Sequence, residues 1–278
     1  MIQCIKSVLV GLTEEGEEEP ASALSYGLSL ANQAGAYATV QAASLKVVLT
    51  HTFVRAVAEV VTSENDRRRR LSDLVAERAR GEAAAAGVVC TAESPQLTYP
   101  ELRNTFTAQA RVHDVIVLDA EPIASDVDRG LIEAVLFESG RPVVVVPAGC
   151  TVFAARRVIV AWDGSGRAAR ALHDAMPLLR AAEAVEVVSV VGEKDLSTAV
   201  PGAEVAPHLA RHGVNATVKD LVAKQGDVAE TLRSQAGLFR ADLIVMGAFA
   251  HSWIREMVLG GVTQSLLKKS PVPLFMSY

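Results

Sequence analysis

Three glycines and one acid carry the chemistry that can be read from this chain. Gly247 follows the apolar run Leu243–Met246, the pair Gly260-Gly261 opens a helical pattern, and Asp163 lies just past the apolar run Val158–Ala161. Glycine just past a strand, or at a helix start, lets backbone N–H groups approach an anion such as phosphate. A carboxylate is poor against phosphate, but it accepts hydrogen bonds from ribose hydroxyls or an adenine amine. The two residue types therefore suit opposite ends of one ligand. Each also has a plainer reading. Asp163, in Asp163-Gly164-Ser165, suits the N-cap of a helix starting near Ser165, and Gly260-Gly261 suits a tight turn with no ligand.

The elements that must position these residues alternate in type. In the second half, short continuous runs rich in Val and Ile predict strands at about 157–162, 185–191, 216–221, 242–247 and 273–277. Such runs fit parallel strands covered on both faces. Ala- and Leu-rich segments predict helices at about 166–181, 202–212, 227–238 and 260–269. Between Gly247 and Gly260 the expectation is a turn and then an apolar stretch, helical around Arg255. Alternation of this kind implies a doubly wound parallel sheet, whose ligands bind beyond the strand carboxyl ends where strand order reverses. Asp163 and Gly247 both lie at such ends.

The pattern is written twice. KSVLVGLT (6–13) parallels RRVIVAWD (156–163), DVIVL (114–118) parallels DLIVM (242–246), and SGRPVVVVP (139–147) parallels SPVPLFM (270–276), in the same order. The expected architecture is α/β: two repeated doubly wound domains, 1–149 and 155–278, each with a mostly parallel five-stranded sheet flanked by helices. Residues 51–95 form an insertion in the first copy, helical from about Ser63 to Ala86 and placed to cover that copy's pocket. The first copy also departs at the site positions. Thr13 stands where the second has Asp163, and Asp119, Glu121 and Asp126 put carboxylates where a phosphate would sit. Like charges in a partly desolvated site are unfavourable, so only the C-terminal copy is a candidate site.

Bulk properties exclude several classes. A formal charge of −5 argues against an electrostatic nucleic-acid binder. Arg67 to Arg70 follow Glu64 and Asp66 and read as a solvated helical face. Cys4, Cys90 and Cys150 lack any disulfide or zinc spacing, which suits a reduced, cytoplasmic setting. The N-terminal segment does not read as a signal peptide, and no apolar run reaches membrane-spanning length.

With VIVAWDGSGRAARAL, GDVAETLRSQAGLFRADLIVMG and the tail from Gly247 to Phe275 in hand, the chain resembles the universal stress proteins in their tandem two-domain form. That family's nucleotide signature is G-x-x-G, nine residues, then G-[ST]. Here its positions fall on Gly247, Ala250, Gly260 and Gly261, so the spacing is kept while two residue types depart. The resemblance implies ATP as ligand and leaves Mg alongside it open. It would put Asp163 at the adenine or ribose, Val190 or Val191 at the base through backbone groups, and Gly247, Ala250, Gly260 and Gly261 around the phosphates. Thr263 and Ser252 are candidates to replace the lost hydroxyl. It also implies edge-strand pairing, which a tandem chain can satisfy internally through 142–146 and 273–277, and it leaves a further homodimer open.

No Walker A sequence, G-x-S-x-G elbow or zinc signature is present. A stress-response module that binds or senses an adenine nucleotide is therefore favoured over a catalyst. A scaffold acting through protein contacts, and a weak ATP hydrolase, are the alternatives.

Overall fold

The computed structural model describes residues 2, 4–13, 22–49, 55–120, 126–191, 202–248, 250–253 and 256–278. The first half runs β1 (Ser7–Thr13), α1 (Ser22–Ala34), β2 (Tyr37–Leu45), α2 (Arg55–Ala85), β3 (Cys90–Glu93), β4 (Gln96–Leu97), α3 (Tyr99–Ala110), β5 (Val115–Asp119), α4 (Asp126–Glu138) and β6 (Val143–Val146). The second half runs β7 (Arg157–Ala161), α5 (Gly166–Asp174), α6 (Met176–Ala181), β8 (Ala184–Val191), α7 (Gly202–Arg211), β9 (Ala216–Val222), α8 (Val228–Phe239), β10 (Leu243–Gly247), β11 (Ala250–Trp253), β12 (Glu256–Leu259), α9 (Gly261–Lys268) and β13 (Leu274–Ser277).

Strand order is β3-β2-β1-β5-β6-β13-β10-β7-β8-β9, with β4 beside β2. Each half contributes five strands to this path, parallel within the half. Where the halves meet, β6 and β13 pair antiparallel, with Val143, Val144 and Val145 opposite Met276, Phe275 and Leu274. Continuous Val and Ile runs form these strands because helices cover both faces: Val8, Leu9, Val158, Ile159 and Ile244 are all fully buried.

The repeat has a structural cause at the strand starts. Asp242 Oδ2 accepts from the N–H groups of Arg156 and Arg157 at 3.0 and 2.9 Å. Asp114 Oδ2 does the same for Lys6 and Ser7 at 2.7 and 2.9 Å. In both halves the acid before one strand fixes the entry of its neighbour, which sets the parallel register. The segment between the halves is anchored rather than loose. Phe153 is buried and packs edge-on against Tyr26 at 5.5 Å, and Gln33 Nε2 donates to the Phe153 carbonyl. Across the junction, the Tyr278 ring meets Phe137 edge-on and lies under the Arg167 guanidinium.

The insertion differs from expectation. Helix α2 starts at Arg55, eight residues earlier than Ser63, and is the crossover from β2 to β3. It packs along those strands, with Ser72 Oγ donating to the Ala42 carbonyl and Arg80 Nη2 to that of Ala92. Arg67 and Arg68 both pair with Glu64, which lowers its carboxyl pKa to about 2 and keeps this face charged.

It is α3 that fills the first copy's cleft. A Cβ on Gly130 would overlap the Tyr99 hydroxyl, and one on Gly11 would lie 2.6 Å from both Phe106 and Leu118. Asp119, at the end of β5, is engaged with the Ala23 N–H at 2.8 Å. Glu121 lies outside the described residues, as do the side chains of Thr13 and Asp126. Because Phe106 is fully buried, Gly11→Ala should destabilise the chain by about 1–3 kcal/mol through overpacking. A urea titration reads this as a lowered midpoint, and an unchanged midpoint would show that the first cleft is not tightly filled.

Candidate functional site

In the second half the corresponding cleft is open. A cavity of about 650 Å³ lies beyond the carboxyl ends of β7, β8 and β10, between the amino ends of α8 and α9. That volume is within the usual range for small-molecule sites. Its floor is apolar, made by Ala161, Val188, Val190, Ala229, Leu232 and Met246. Polar groups sit around the rim: Asp163 after β7, Gln225, Gly226 and Asp227 before α8, and Gly260, Gly261, Thr263 and Ser265 at the start of α9.

Parallel register brings these residues together. Ala161 is level with Val188 on one side and Met246 on the other, so three strands end side by side. Asp163 does not cap the helix. Ser165 is the N-cap of α5, accepting from the Ala168 N–H, while Asp163 Oδ1 accepts from the Ser165 N–H at 3.0 Å. Gly164 turns the chain between them with φ +71°, which holds Asp163 at the rim.

The two helix amino ends facing the cavity are finished differently. On α8, the Asp227 carboxylate caps through Oδ1, accepting from the Glu230 N–H at 2.8 Å. On α9, the N-cap is Gly260, with extended backbone and no side-chain cap. The first N–H groups of α9 have no intrahelical acceptor, and together with the helix dipole they favour an anion. Gly260 and Gly261 thus stand at a helix start rather than a left-handed turn. The glycines with positive φ include neither Gly261 nor Gly247.

Gly247 has a reason different from the expected one. A Cβ there would lie 2.6 Å from the Ala168 nitrogen and 2.7 Å from the Arg167 carbonyl carbon. Its missing side chain admits the backbone of α5, while the residue also lines the cavity. Gly261, by contrast, has open space where a Cβ would point.

Of the residues singled out from sequence, Asp163, Val190, Gly247, Gly260, Gly261 and Thr263 meet around this cavity. Val191 is 49% exposed and is absent from the described lining, and its carbonyl accepts from the Ala223 N–H. Ala250 opens β11, and its side chain lies outside the described residues. The helical stretch expected between the glycines is instead a hairpin, with Ala250 opposite Leu259 and Trp253 opposite Glu256. So short a segment cannot hold a turn and a stable helix as well, since helices of a few residues are marginal without tertiary support. Arg255 itself lies outside the described residues.

Sequence reasoning missed the α8 side of the cavity. Its signal was present in Gly226-Asp227 followed by Glu230, an acidic cap after a turn at the end of a strand. Two bonds tie this helix to its neighbours. Arg233 Nη1 donates to Ser265 Oγ on α9 at 3.1 Å, and Gln235 Nε2 donates to the buried Glu186 on β8 at 2.5 Å.

Among the described residues, no group of three or more His, Cys, Asp or Glu side chains is placed to hold a metal ion. No helix among them is long and apolar enough to cross a membrane.

A family model, the Universal stress protein family, matches residues 154–277. No curated protein matches the chain. Among solved structures, a universal stress protein from Archaeoglobus fulgidus DSM 4304 is 18% identical with a TM-score of 0.70, and 97% of each chain is covered. A protein of unknown function from Pseudomonas aeruginosa PAO1 is 14% identical with a TM-score of 0.56, covering 99% of this chain and 92% of that one. A universal stress protein in complex with cAMP is 18% identical over 44% of this chain and 96% of its own, with a TM-score of 0.35. The first two likenesses show that the fold extends through both halves.

The two glycines should separate experimentally. Gly247→Ala collides with backbone and should cost about 2 kcal/mol or more, whereas Gly261→Ser should stay within about 0.5 kcal/mol of the unaltered chain. Urea unfolding of both variants checks this, and equal losses would contradict the assigned packing.

Proposed function

We propose, for a chain whose residues 154–277 belong to the Universal stress protein family, that the C-terminal half binds an adenine nucleotide, ATP in the first instance, and acts as a binding or sensing module in a stress response. The observation that carries this reading is the cavity at the end of β7, where an apolar floor meets an uncapped helix amino end. A planar base suits Val188, Val190, Ala229 and Leu232. Phosphate suits the amino end of α9, where the N-cap Gly260 supplies no side-chain acceptor and Thr263 lines the same end. Asp163, between the two, suits the ribose hydroxyls. Mg would travel with the phosphates, as that ion usually does, rather than sit in a cage of protein ligands.

In this reading the chain works as two domains, 1–149 and 155–278. The β6–β13 ladder takes the place of a subunit interface, and the first domain, its cleft filled by Tyr99 and Phe106, serves as a permanent partner for the second. Three free cysteines, Cys4, Cys90 and Cys150, accord with a cytoplasmic setting.

Calorimetry with ATP tests the reading. Saturable heat is expected below millimolar ATP, and Asp163→Ala should weaken binding about tenfold through loss of charge-assisted hydrogen bonds. Absence of heat at millimolar ATP would overturn it.

A further inference from the structure

The rim of the cavity holds a second acid, and its geometry gives it a task that the glycine signature does not assign. We infer that Asp227 is the residue that selects the base, by accepting a hydrogen bond from an exocyclic amine. This inference rests on the nucleotide reading above and deepens it.

Asp227 has a divided carboxylate. Oδ1 is committed to the Glu230 N–H as the cap of α8, and no described group donates to Oδ2. The residue lines the cavity beside Gln225 and Gly226. The turn that carries it is rigid. Lys224 and Asp227 form a β-bridge, and Gln225 and Gly226 hold φ +51° and +79°. Thr231 Oγ1 donates to the Asp227 carbonyl and accepts from the Lys224 N–H. A carboxylate held this firmly presents Oδ2 with little loss of side-chain entropy on binding.

Its position determines which part of a ligand it meets. Asp227 stands at the amino end of α8, which follows β9 beside β8, and shares the cavity lining with Val188, Val190, Ala229 and Leu232. The uncapped end of α9 begins on the β10 side, and β7 lies between β8 and β10. At ordinary strand spacing those two strands are about 10 Å apart. One helix amino end is already answered by the chain's own acid, so a phosphate is directed to the other. The part of the ligand lying on the floor is then the base, and an ionised carboxylate at its edge accepts from an N–H and repels a carbonyl oxygen. Adenine carries an amine at that edge, whereas hypoxanthine carries a carbonyl oxygen in its place.

The experiment compares ATP and ITP on the full chain by calorimetry, with two variants that keep the cap. Asn and Ser cap helices about as well as Asp, so both should melt like the unaltered chain. In Asp227→Asn the cap keeps Oδ1 on the Glu230 N–H and turns the amide nitrogen, a donor, toward the cavity. The unaltered chain should bind ATP about tenfold more tightly than ITP, as expected for one charge-assisted hydrogen bond. Asp227→Ser should bind the two alike, and Asp227→Asn should reverse the order. Equal binding of ATP and ITP by the unaltered chain, or an unchanged preference in Asp227→Asn, overturns this inference and leaves nucleotide binding standing. A chain that binds neither nucleotide overturns both.

Discussion

Everything in the second half depends on the register of β7 between two parallel neighbours. Because Ala161 is level with both Val188 and Met246, three strands end together and their following residues converge on one volume. Asp242 holds that register at the opposite end, by engaging the two N–H groups that start β7. The cleft itself comes from what is absent above those strand ends. Small and aliphatic residues, Ala161, Val228 and Ala229, leave unfilled the volume that aromatic rings take up in the first half.

The comparison of the two halves is instructive because their frameworks agree while their clefts do not. Asp114 and Asp242 perform the same backbone task, and each half contributes five strands to the main path of the sheet. Yet in the first half Gly11 and Gly130 are glycine so that Phe106, Leu118 and Tyr99 can enter. Glycine therefore has opposite consequences in the two halves. At Gly261 it leaves space open, and at Gly130 it lets the chain close the space itself. The antiparallel β6–β13 ladder then joins a filled half to an open one in a single sheet.

How much of this was legible follows from what each feature depends on. The strands of the second half could be read because burial on both faces demands unbroken runs such as Val158–Ala161 and Leu243–Met246. Alternation with Ala-rich helices made the fold class readable in turn. The hairpin of β11 and β12 could not be read, since Met257, Val258 and Leu259 are apolar in either conformation and their pairing with 250–253 is a relation between two strands. Tyr99 against Gly130 was hidden for the same reason, being a contact between separate helices. Gly247 is legible by its type, but its cause, the close approach of α5, lies about eighty residues away in sequence. Asp227 is not legible as a site residue because a capping acid looks complete in sequence. Only the structure puts the carboxylate at the rim of a cavity.

Among the described residues, the cleft at the end of β7 is open where its counterpart in the first half is filled. Native mass spectrometry of the intact chain, titrated with ATP, counts ligands directly. One nucleotide per chain is the predicted stoichiometry, lost when Gly260 is replaced by Val at the amino end of α9. Two bound nucleotides, or one that persists in the Gly260→Val chain, would contradict the assignment of the site to the end of β7.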